Sequence, residues 1–297
     1  MKKLLFLFNP SAGKARIQSK IYSVVDFYTK AGYVVTVYPT QARGDGYKFI
    51  KEQSRKYDNV VCSGGDGTLN EVISGLIESN ATCTLGYLPF GSTNDFARSI
   101  GIPVEFQTAM EASVKGDPFC IDVGKASDKY FIYVAAFGMF TDISYNTSQK
   151  LKNTFGYLAY ILEGIKAITD LKSYAVSIEY EDKIITDNFI VGLVTNSMSV
   201  GGFKYPMQED VAFNDGLFEI LFVRMPQNIL DLQTIIHSLM NEKVDEKHMV
   251  FIQTNKLVVR SDALDWTFDG EYGGNYSQLE IMNMQGAIKI SVPLISK

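Results

Sequence analysis

The sequence predicts a two-domain protein in which an α/β domain is followed by a β-rich domain. Over roughly the first 116 residues, apolar segments alternate with amphipathic ones, the order that forms a parallel sheet flanked by helices. From about Cys120 the pattern changes to short β-rich runs separated by turn residues, as in an antiparallel β-sandwich. We place the domains at 1–118 and 119–297, and the sequence leaves open whether the last strands return to the first domain.

The first domain contains strands and helices in strict alternation. In order we expect strand 4–8, a helix carrying Ile17, Ile21, Val24, Val25 and Tyr28, strand 33–38, helix 46–56, strand 59–62, a helix from 68 and strand 84–88. The loops that follow strands are 9–13, 40–46, 64–68 and 89–95. Because ligands bind at the carboxyl ends of parallel strands, we expect these loops to converge on one edge of the sheet.

The second domain is a series of short strands with two helical interruptions. The β-rich runs are 119–123, 130–137, 174–181, 184–195, 217–223, 249–253, 256–260, 276–282 and 286–292. Asn214-Asp215-Gly216 and Gly273-Gly274-Asn275 are among the turn signals between them. One helix is expected at 155–172 and another from Ile229 to Leu239.

Composition narrows the class of protein. The chain has 297 residues, is 46% hydrophobic and has a net charge of -5, which argues against a broad nucleic-acid surface. Its three cysteines form no CxxC pair, so neither a disulfide framework nor a zinc site is indicated, and a cytoplasmic setting fits. The apolar run Leu4–Phe8 is too short for a signal peptide, and no stretch approaches the roughly 20 apolar residues of a transmembrane helix.

The segment Gly64-Gly65-Asp66-Gly67-Thr68 follows a short apolar strand and opens a helix. This geometry presents backbone N–H groups and the positive end of a helix dipole to a phosphate. A carboxylate beside phosphates repels them unless a cation lies between, so Asp66 points to Mg²⁺–nucleotide chemistry. The alternative is a tight strand–helix turn with an ordinary Asp.

Two further loops have the composition of phosphate or ribose sites. Asn9-Pro10-Ser11-Ala12-Gly13-Lys14 is one, although it lacks the pattern of a P-loop and could equally be a turn with a helix cap. Residues 89–98 form the other, where a Gly-Ser-Thr-Asn turn opens a helix. Arg98 could pair with a phosphate through two hydrogen bonds, or it could form a salt bridge with Asp95.

Taken together, these motifs resemble a known family. In chain order they are NPSAGK from residue 9, GGDGTLNEV from 64, PFGSTNDFAR from 89, IDVG from 121, NDGLFEI from 214 and FDGE from 268. The order is similar to that of the bacterial diacylglycerol kinase-like lipid kinases, relatives of the eukaryotic diacylglycerol, sphingosine and ceramide kinases. GGDGT alone would equally suit NAD kinases or phosphofructokinases. The resemblance implies an NAD kinase-like fold, with an α/β nucleotide domain followed by a β-sandwich domain.

The resemblance also implies an ATP site and a network around Mg²⁺. The residues that would hold ATP are Asn9, Pro10, Ser11, Ala12, Gly13, Thr40, Gly64, Gly65, Asp66, Gly67, Thr68, Leu69, Asn70 and Thr93. Asp66, Asp95 and Asp122 would belong to a network of carboxylates and water that organises Mg²⁺.

A structural Mg²⁺ is implied at the NDG segment. Asp215 would bind it together with the backbone carbonyls of Ala212 and Leu217. Without the resemblance, sequence slightly favours a simple Asn-Asp-Gly turn here.

The DGE motif at 269–271 matches the segment where the family's general base resides. A carboxylate there would take the proton from a lipid hydroxyl as it attacks the γ-phosphate. We favour Glu271 as the proton acceptor, then Asp269 and then Asp66, an order that the sequence does not decide. The only histidines, His237 and His248, lie outside every motif.

The implied activity is transfer of phosphate from ATP to diacylglycerol by a cytoplasmic protein that meets lipid at the membrane surface. The apolar segment 155–172 could lie on a membrane or pack on the sandwich, and the loop 198–203 could shape a lipid cleft or simply connect two strands. The lysines around the segment 155–172 are Lys150, Lys152, Lys166 and Lys172. The family suggests a homodimer. The alternatives are a kinase for another lipid alcohol or sphingoid base, an NAD kinase-type or sugar kinase, or a non-catalytic regulator.

Overall fold

The computed structural model describes residues 1–15, 17–91, 94–139, 162, 170–196, 213–241 and 243–293. Within these residues the chain is a mixed α/β protein dominated by sheet. It divides into two compact units, Met1–Ile121 with Gly286–Lys297, and Asp122–Gln285. Most of the segment 155–172 and the loop 198–203 lie outside the described residues. In the described part of the chain, no helix has the length and apolarity needed to cross a membrane.

The helices and strands follow the predicted order closely. The strands are β1 (Lys2–Phe8), β2 (Tyr33–Pro39), β3 (Asn59–Gly64), β4 (Thr84–Pro89), β5 (Asp117–Ala126), β6 (Lys129–Phe131), β7 (Val134–Gly138), β8 (Tyr174–Tyr180), β9 (Lys183–Thr195), β10 (Phe218–Arg224), β11 (Met249–Thr254), β12 (Lys256–Phe268) and β13 (Glu271–Val292). The α-helices are α1 (Ile21–Lys30), α2 (Asp45–Gln53), α3 (Asp66–Ser79), α4 (Asp95–Ser99), α5 (Phe106–Lys115) and α6 (Ile229–Met240).

The first unit is built on a parallel sheet in the order β4–β3–β1–β2. The end of β13 adds to it beside β4, where Ile290 pairs in parallel with Leu85. Residues 4–7 of β1 are completely buried, as expected for a strand covered by helices on both faces. The helix expected to carry Ile17 begins only at Ile21, because residues 12–15 and 18–20 form short 3₁₀ turns instead.

The described pairings of the second unit are antiparallel, and the series β9–β7–β12–β8–β9 closes on itself. Side chains on the two faces of β10 alternate between two cores. One core is aromatic and includes Phe137, Phe222 and Trp266, and the other packs the sheet against α6. Gly192 makes the aromatic core possible, since a Cβ there would lie 2.2 Å from the ring of Phe137.

Two expectations about this unit were wrong in detail. The runs 276–282 and 286–292 belong to one strand, β13, and Gly273-Gly274-Asn275 lies inside that strand. The register of β12 against β13 shifts between Trp266 and Thr267, so these glycines accommodate a bulge where a turn was predicted. The run 130–137 is divided between β6 and β7.

Buried His248 joins two carboxylates between α6 and β11. Its Nδ1 lies 2.6 Å from Oδ2 of Asp245, and its Nε2 lies 3.0 Å from Oδ1 of Asp231. Lys247 also reaches Asp231 at 3.2 Å, and Arg224 donates to the Lys247 carbonyl. The bond with His248 lowers the pKa of Asp245. For Asp231, burial raises the pKa, but the hydrogen bonds from His248 and Lys247 outweigh it and the net shift is downward.

Replacing His248 by Ala is expected to lower the melting temperature at pH 7 by about 4–8 °C, because the buried carboxylate of Asp231 and the partly buried carboxylate of Asp245 each lose a hydrogen bond to the imidazole. A carboxyl pKa that is lower in the folded than in the unfolded protein stabilises the fold at pH values above the unfolded-state pKa of about 4. This stabilisation is lost as the pH falls through the folded-state pKa. Melting curves from pH 7 to pH 3 should therefore show the difference between the two proteins shrinking at the acid end. His237→Ala, on the exposed side of α6, is the control, and an equal loss in that variant would contradict the assignment.

Candidate active site

The loops expected to converge are connected where the strands of the first unit end. Asn9 donates its backbone N–H to the carbonyl of Ser63 at 2.9 Å, and Phe90 donates to Gly64 at 2.8 Å. Thr40 bonds in the same way to the end of β1. The hydrogen-bond ladder thus continues one residue beyond the strands and sets the starting position of all four loops.

The first loop is held by the side chain of Asn9. Its Oδ1 accepts the N–H of Ser11 at 2.9 Å, and its Nδ2 donates to Oγ1 of Thr68 at 3.3 Å. Gly13 has φ of +57°, and a Cβ there would lie 2.7 Å from the carbonyl oxygen of Phe90. Residues 9–13 are therefore fitted closely against both the start of α3 and the loop after β4.

The Gly64–Thr68 segment is a tightly packed turn in which a Cβ at a glycine position would collide with neighbouring atoms. A Cβ on Gly64 would lie 2.6 Å from Oγ1 of Thr68, and a Cβ on Gly91 would lie 2.6 Å from Cα of Gly65. The backbones of the two loops consequently touch, directly in front of α3. The first N–H groups of a helix have no partner within it, and together with the dipole they favour an anion at this position.

The residues at the start of α3 differ in burial, since some belong to the loop and others pack into the hydrophobic core. Asp66 is the first helical residue and is half-buried. Leu69 is fully buried and donates its N–H to Gly65, so it supports the turn from behind. Asn70 accepts a hydrogen bond from Ser74 at 3.3 Å.

Cys62, which lies just before the turn, is fully buried. Burial, followed by the nearby Glu71 carboxylate, raises the pKa of its thiol. A thiol that stays protonated is a poor nucleophile, so this cysteine is a core residue.

The loop after β4 is organised by Asn94, whose importance the sequence did not reveal. Its side chain accepts the N–H of Gly91 at 2.7 Å and donates to the carbonyl of the same residue at 3.1 Å. Asn94 is buried, has φ of +51° and precedes α4. Arg98 is exposed on α4, while Thr93 and the side chain of Asp95 lie outside what the structure describes.

The loop after β2 is closed by Asp45. Its Oδ1 accepts the Tyr38 hydroxyl at 3.0 Å, and its Oδ2 accepts the N–H of Gln41 at 2.8 Å. Burial, followed by this bond to Asp45, raises the pKa of Tyr38, so the phenol remains a donor. Thr40 lies inside the loop that these bonds close.

In the second unit, the DGE motif lies at the end of a β-hairpin whose loop has two residues. Phe268 of β12 pairs directly with Glu271 of β13, which leaves Asp269 and Gly270 as the turn. Their φ values are 49° and 82°, and positive values at both central positions characterise the type I′ turn, for which Asp-Gly is a preferred sequence. The motif therefore has a structural role in addition to any chemical one.

Asp269 is bound tightly to the start of β7. Its carboxylate accepts backbone N–H groups from Ile132 at 2.8 Å, Tyr133 at 2.8 Å and Val134 at 3.0 Å. Its own N–H donates to the Val134 carbonyl at 2.8 Å. These bonds explain why β6 and β7 are separate strands, since the N–H groups between them bind a carboxylate. Glu271, two residues on, is exposed.

The buried carboxylate of Asp122 holds the NDG segment. Its Oδ2 accepts the N–H of Gly216 at 2.7 Å, and its own N–H donates to Phe213 at 2.8 Å. Asp215 is exposed and its Oδ1 accepts the N–H of Leu217 at 2.9 Å, the turn expected from the Asn-Asp-Gly signal. The structure thus brings together Asp122 and the segment for which a structural metal was predicted.

The donors of this segment suit Mg²⁺ chemically, because carboxylate and carbonyl oxygens are the ligands it prefers. The Leu217 carbonyl faces the side chain of Asn283, which donates to it at 3.1 Å. Ala212 lies outside the described residues. Within the described ranges, no group of three or more His, Cys, Asp or Glu side chains is placed to hold a metal ion. A site here would therefore combine one carboxylate with carbonyl oxygens and water.

Comparison with known proteins gives a consistent result. The family model for the diacylglycerol kinase catalytic domain matches residues 3–126. Diacylglycerol kinase of Bacillus subtilis (strain 168) is 33% identical over 296 residues, covering 99% of this chain and 97% of the relative. Diacylglycerol kinase of Staphylococcus saprophyticus is 31% identical over 296 residues, covering 98% and 96%.

Solved structures show the same fold. A crystal structure of a diacylglycerol kinase from Bacillus anthracis str. Sterne has a TM-score of 0.74 at 21% identity, covering 99% of this chain and 97% of that one. A second crystal structure from this organism has a TM-score of 0.81 at 23% identity, covering 99% and 96%. The resemblance inferred from the motifs is confirmed by the full-length similarity to the curated relatives. The chain belongs to the diacylglycerol kinase family.

Proposed function

We propose that this protein is an ATP- and Mg²⁺-dependent lipid kinase that transfers the γ-phosphate to the hydroxyl of diacylglycerol, giving phosphatidic acid and ADP. Its family makes it a kinase that transfers phosphate to an alcohol. The observation that carries the nucleotide half of the proposal is the meeting of the loops at Asn9, Gly65 and Gly91 in front of α3. Backbone N–H groups in glycine turns at a helix N-terminus bind phosphate.

In this proposal the first unit binds and orients the nucleotide. The loop 9–13, Thr40 and Thr93 would contact ATP, and residues 64–70 would bind its phosphates. Arg98 would add a positive charge near the ATP phosphates, because a guanidinium can bind phosphate through two parallel hydrogen bonds.

Carboxylates would hold the metal ions. Asp66, Asp95 and Asp122 would form the network around the nucleotide's Mg²⁺, and Asp215 would hold a structural one with the carbonyls of Ala212 and Leu217. Bound Mg²⁺ neutralises charge on transferring phosphate oxygens. The N–H of Gly216, held by buried Asp122, supports this assignment because it keeps the Asp215 turn in place.

Glu271 is proposed as the general base. Accepting a proton requires a carboxylate whose oxygens can reach the lipid hydroxyl, and the oxygens of Asp269 already accept three backbone N–H groups. Protonation of Asp269 would cost those hydrogen bonds. Asp269 would thus position the hairpin that carries Glu271.

We further propose that the two units correspond to an NAD kinase-like nucleotide domain and a β-sandwich domain. The protein would work in the cytoplasm, peripherally bound at the membrane surface, and as a homodimer. The overall similarity to solved diacylglycerol kinase structures supports the common architecture.

Phosphoryl transfer to a panel of acceptors tests the function. Labelled γ-phosphate from Mg·ATP would be offered to diacylglycerol, sphingosine, ceramide and NAD, with the lipids presented in mixed micelles. We expect label in phosphatidic acid. Label only in another lipid would mean that the protein is a kinase for that lipid and not for diacylglycerol. Label only in NAD would mean that the protein is an NAD kinase-type enzyme. If ATP binds but no acceptor is labelled, a non-catalytic regulator would be favoured.

A further inference from the structure

Glu71 lies on α3, one residue beyond the segment predicted to bind phosphates. Its carboxylate forms hydrogen bonds with residues outside its own helix. Oε1 accepts the N–H of Gly44 at 2.7 Å and Oε2 accepts the N–H of Gly46 at 3.1 Å. The side chain therefore joins the helix behind the glycine turn to the loop after β2.

These two N–H groups belong to the start of α2. Gly44 is the residue that caps the helix, and having no side chain it cannot bind the first-turn N–H groups itself. Its φ of +81° is one that glycine adopts readily. The carboxylate of Glu71 takes over the capping role from a different helix, with the negative charge at the positive end of the α2 dipole.

The packing between α2 and α3 is close around this contact. A Cβ on Gly46 would lie 2.8 Å from Oε2 of Glu71 and 3.6 Å from Cγ2 of Thr40. One turn further along α3, a Cβ on Gly75 would lie 2.8 Å from Cβ of Ile50 on α2. The two helices are thus in close contact, and the Glu71 carboxylate and Thr40 both lie close to Gly46.

The loop 40–46 is consequently supported from two sides. Asp45 binds the N–H of Gln41 from within the loop, and Glu71 binds Gly44 and Gly46 from α3. Thr40 borders the part of the loop that Glu71 holds, since a Cβ on Gly46 would lie 3.6 Å from its Cγ2. We expect that loss of the Glu71 contacts would let the loop move relative to the phosphate-binding turn.

We propose that Glu71 is a positioning residue for the nucleotide, which holds the loop 40–46 against the ATP site without contacting the reacting atoms. The proposal rests on the proposed function, since it takes Thr40 and residues 64–70 as the ATP site. It requires the two carboxylate oxygens of Glu71 to act as a pair, because they accept from two different backbone groups.

Glu71→Gln is the variant that tests this. The amide keeps one acceptor oxygen but turns an NH₂ donor toward the second N–H, so one of the two bonds is lost with almost no change in volume. We expect the KM for ATP to rise about tenfold, the loss typical of one hydrogen bond to a charged group. The kcat and the KM for the lipid should change less than about twofold, because the transferred group and the base are untouched.

Glu78→Gln is the matched control. Glu78 lies on the same helix and also reaches α2, through an ion pair at 3.3 Å with Lys51, a residue beyond the loop 40–46. We expect its KM for ATP to equal that of the unmodified protein. An unchanged KM for ATP in Glu71→Gln, or an equal rise in Glu78→Gln, would overturn the proposal.

Direct titration with Mg·ATP separates this proposal from the proposed function. If the unmodified protein binds ATP but phosphorylates none of the acceptors, weaker binding in Glu71→Gln still supports the positioning role and equal binding overturns it. A protein that binds no ATP would overturn both. A fall in kcat with no change in KM for ATP would also overturn it, by assigning Glu71 to the chemical step.

Discussion

Glu271→Gln is expected to lower kcat by roughly 10²–10⁴-fold, the range that general-base catalysis contributes. The amide is nearly isosteric with the carboxylate but cannot accept the proton of the attacking hydroxyl. Glu271 is exposed on β13, in the unit that lacks the phosphate-binding loops, so ATP affinity should stay unchanged. Phosphate transfer to diacylglycerol and a parallel Mg·ATP titration would measure the two quantities.

Asp269→Asn provides the matched comparison. Its carboxylate accepts from Ile132, Tyr133 and Val134, and an amide would place an NH₂ group against one of those donors. We therefore expect a lower melting temperature together with the loss of activity, whereas Glu271→Gln, at an exposed residue, should lower the melting temperature less. Surviving transfer in Glu271→Gln would show that the base is elsewhere, with Asp269 and then Asp66 the next residues to replace.

Gly91→Ala is expected to weaken ATP binding by about 100-fold, because the loops in front of α3 cannot then keep their contact. The added Cβ would lie 2.6 Å from Cα of Gly65 and 2.7 Å from Oδ1 of Asn94. One neighbour is backbone, and the other is a buried side chain that holds the loop, so neither can move away cheaply. Mg·ATP titration would measure the loss, with the melting temperature recorded beside it.

Gly32→Ala is the control for that experiment. Gly32 has φ of +90°, so an added Cβ is strained there, but it would meet nothing within 4 Å. This variant should lose some stability and keep its ATP affinity. A Gly91→Ala protein that folds and binds ATP as tightly as the unmodified one would show that the contact with Gly65 is not part of the nucleotide site.

Much of the local structure could be predicted because it depends on neighbouring residues alone. The continuous apolar run Leu4–Phe8 predicted a strand buried on both faces, and that prediction is confirmed. The helix predicted from Ile229 to Leu239 is also confirmed, with Asn228 as its cap. The boundaries near Ile21 and Gly274 were wrong because short 3₁₀ turns and a β-bulge have weak sequence signals.

The site was predicted less completely. The motif positions at Gly65, Gly91 and Asn9 were found from composition and order, and the structure brings their loops together. Asn94 and Glu71 were not singled out, since a polar residue in a turn or on a helix face usually has an exposed side chain. Their partners, Gly91 and the N–H groups of α2, become evident only when the loops are folded against one another.

The sequence by itself determined the strand and helix order and the glycine turns, because each follows from the residues in a short segment. It also determined the family, because six motifs occur in the family's order along the chain. The tertiary structure alone decided what several carboxylates do. Asp269 lies more than 130 residues from the N–H groups that it accepts, and Glu71 lies 25 and 27 residues from Gly46 and Gly44. A carboxylate looks the same in sequence whether it acts as a base, a metal ligand or a cap. Its role depends on the donors that the fold places around it.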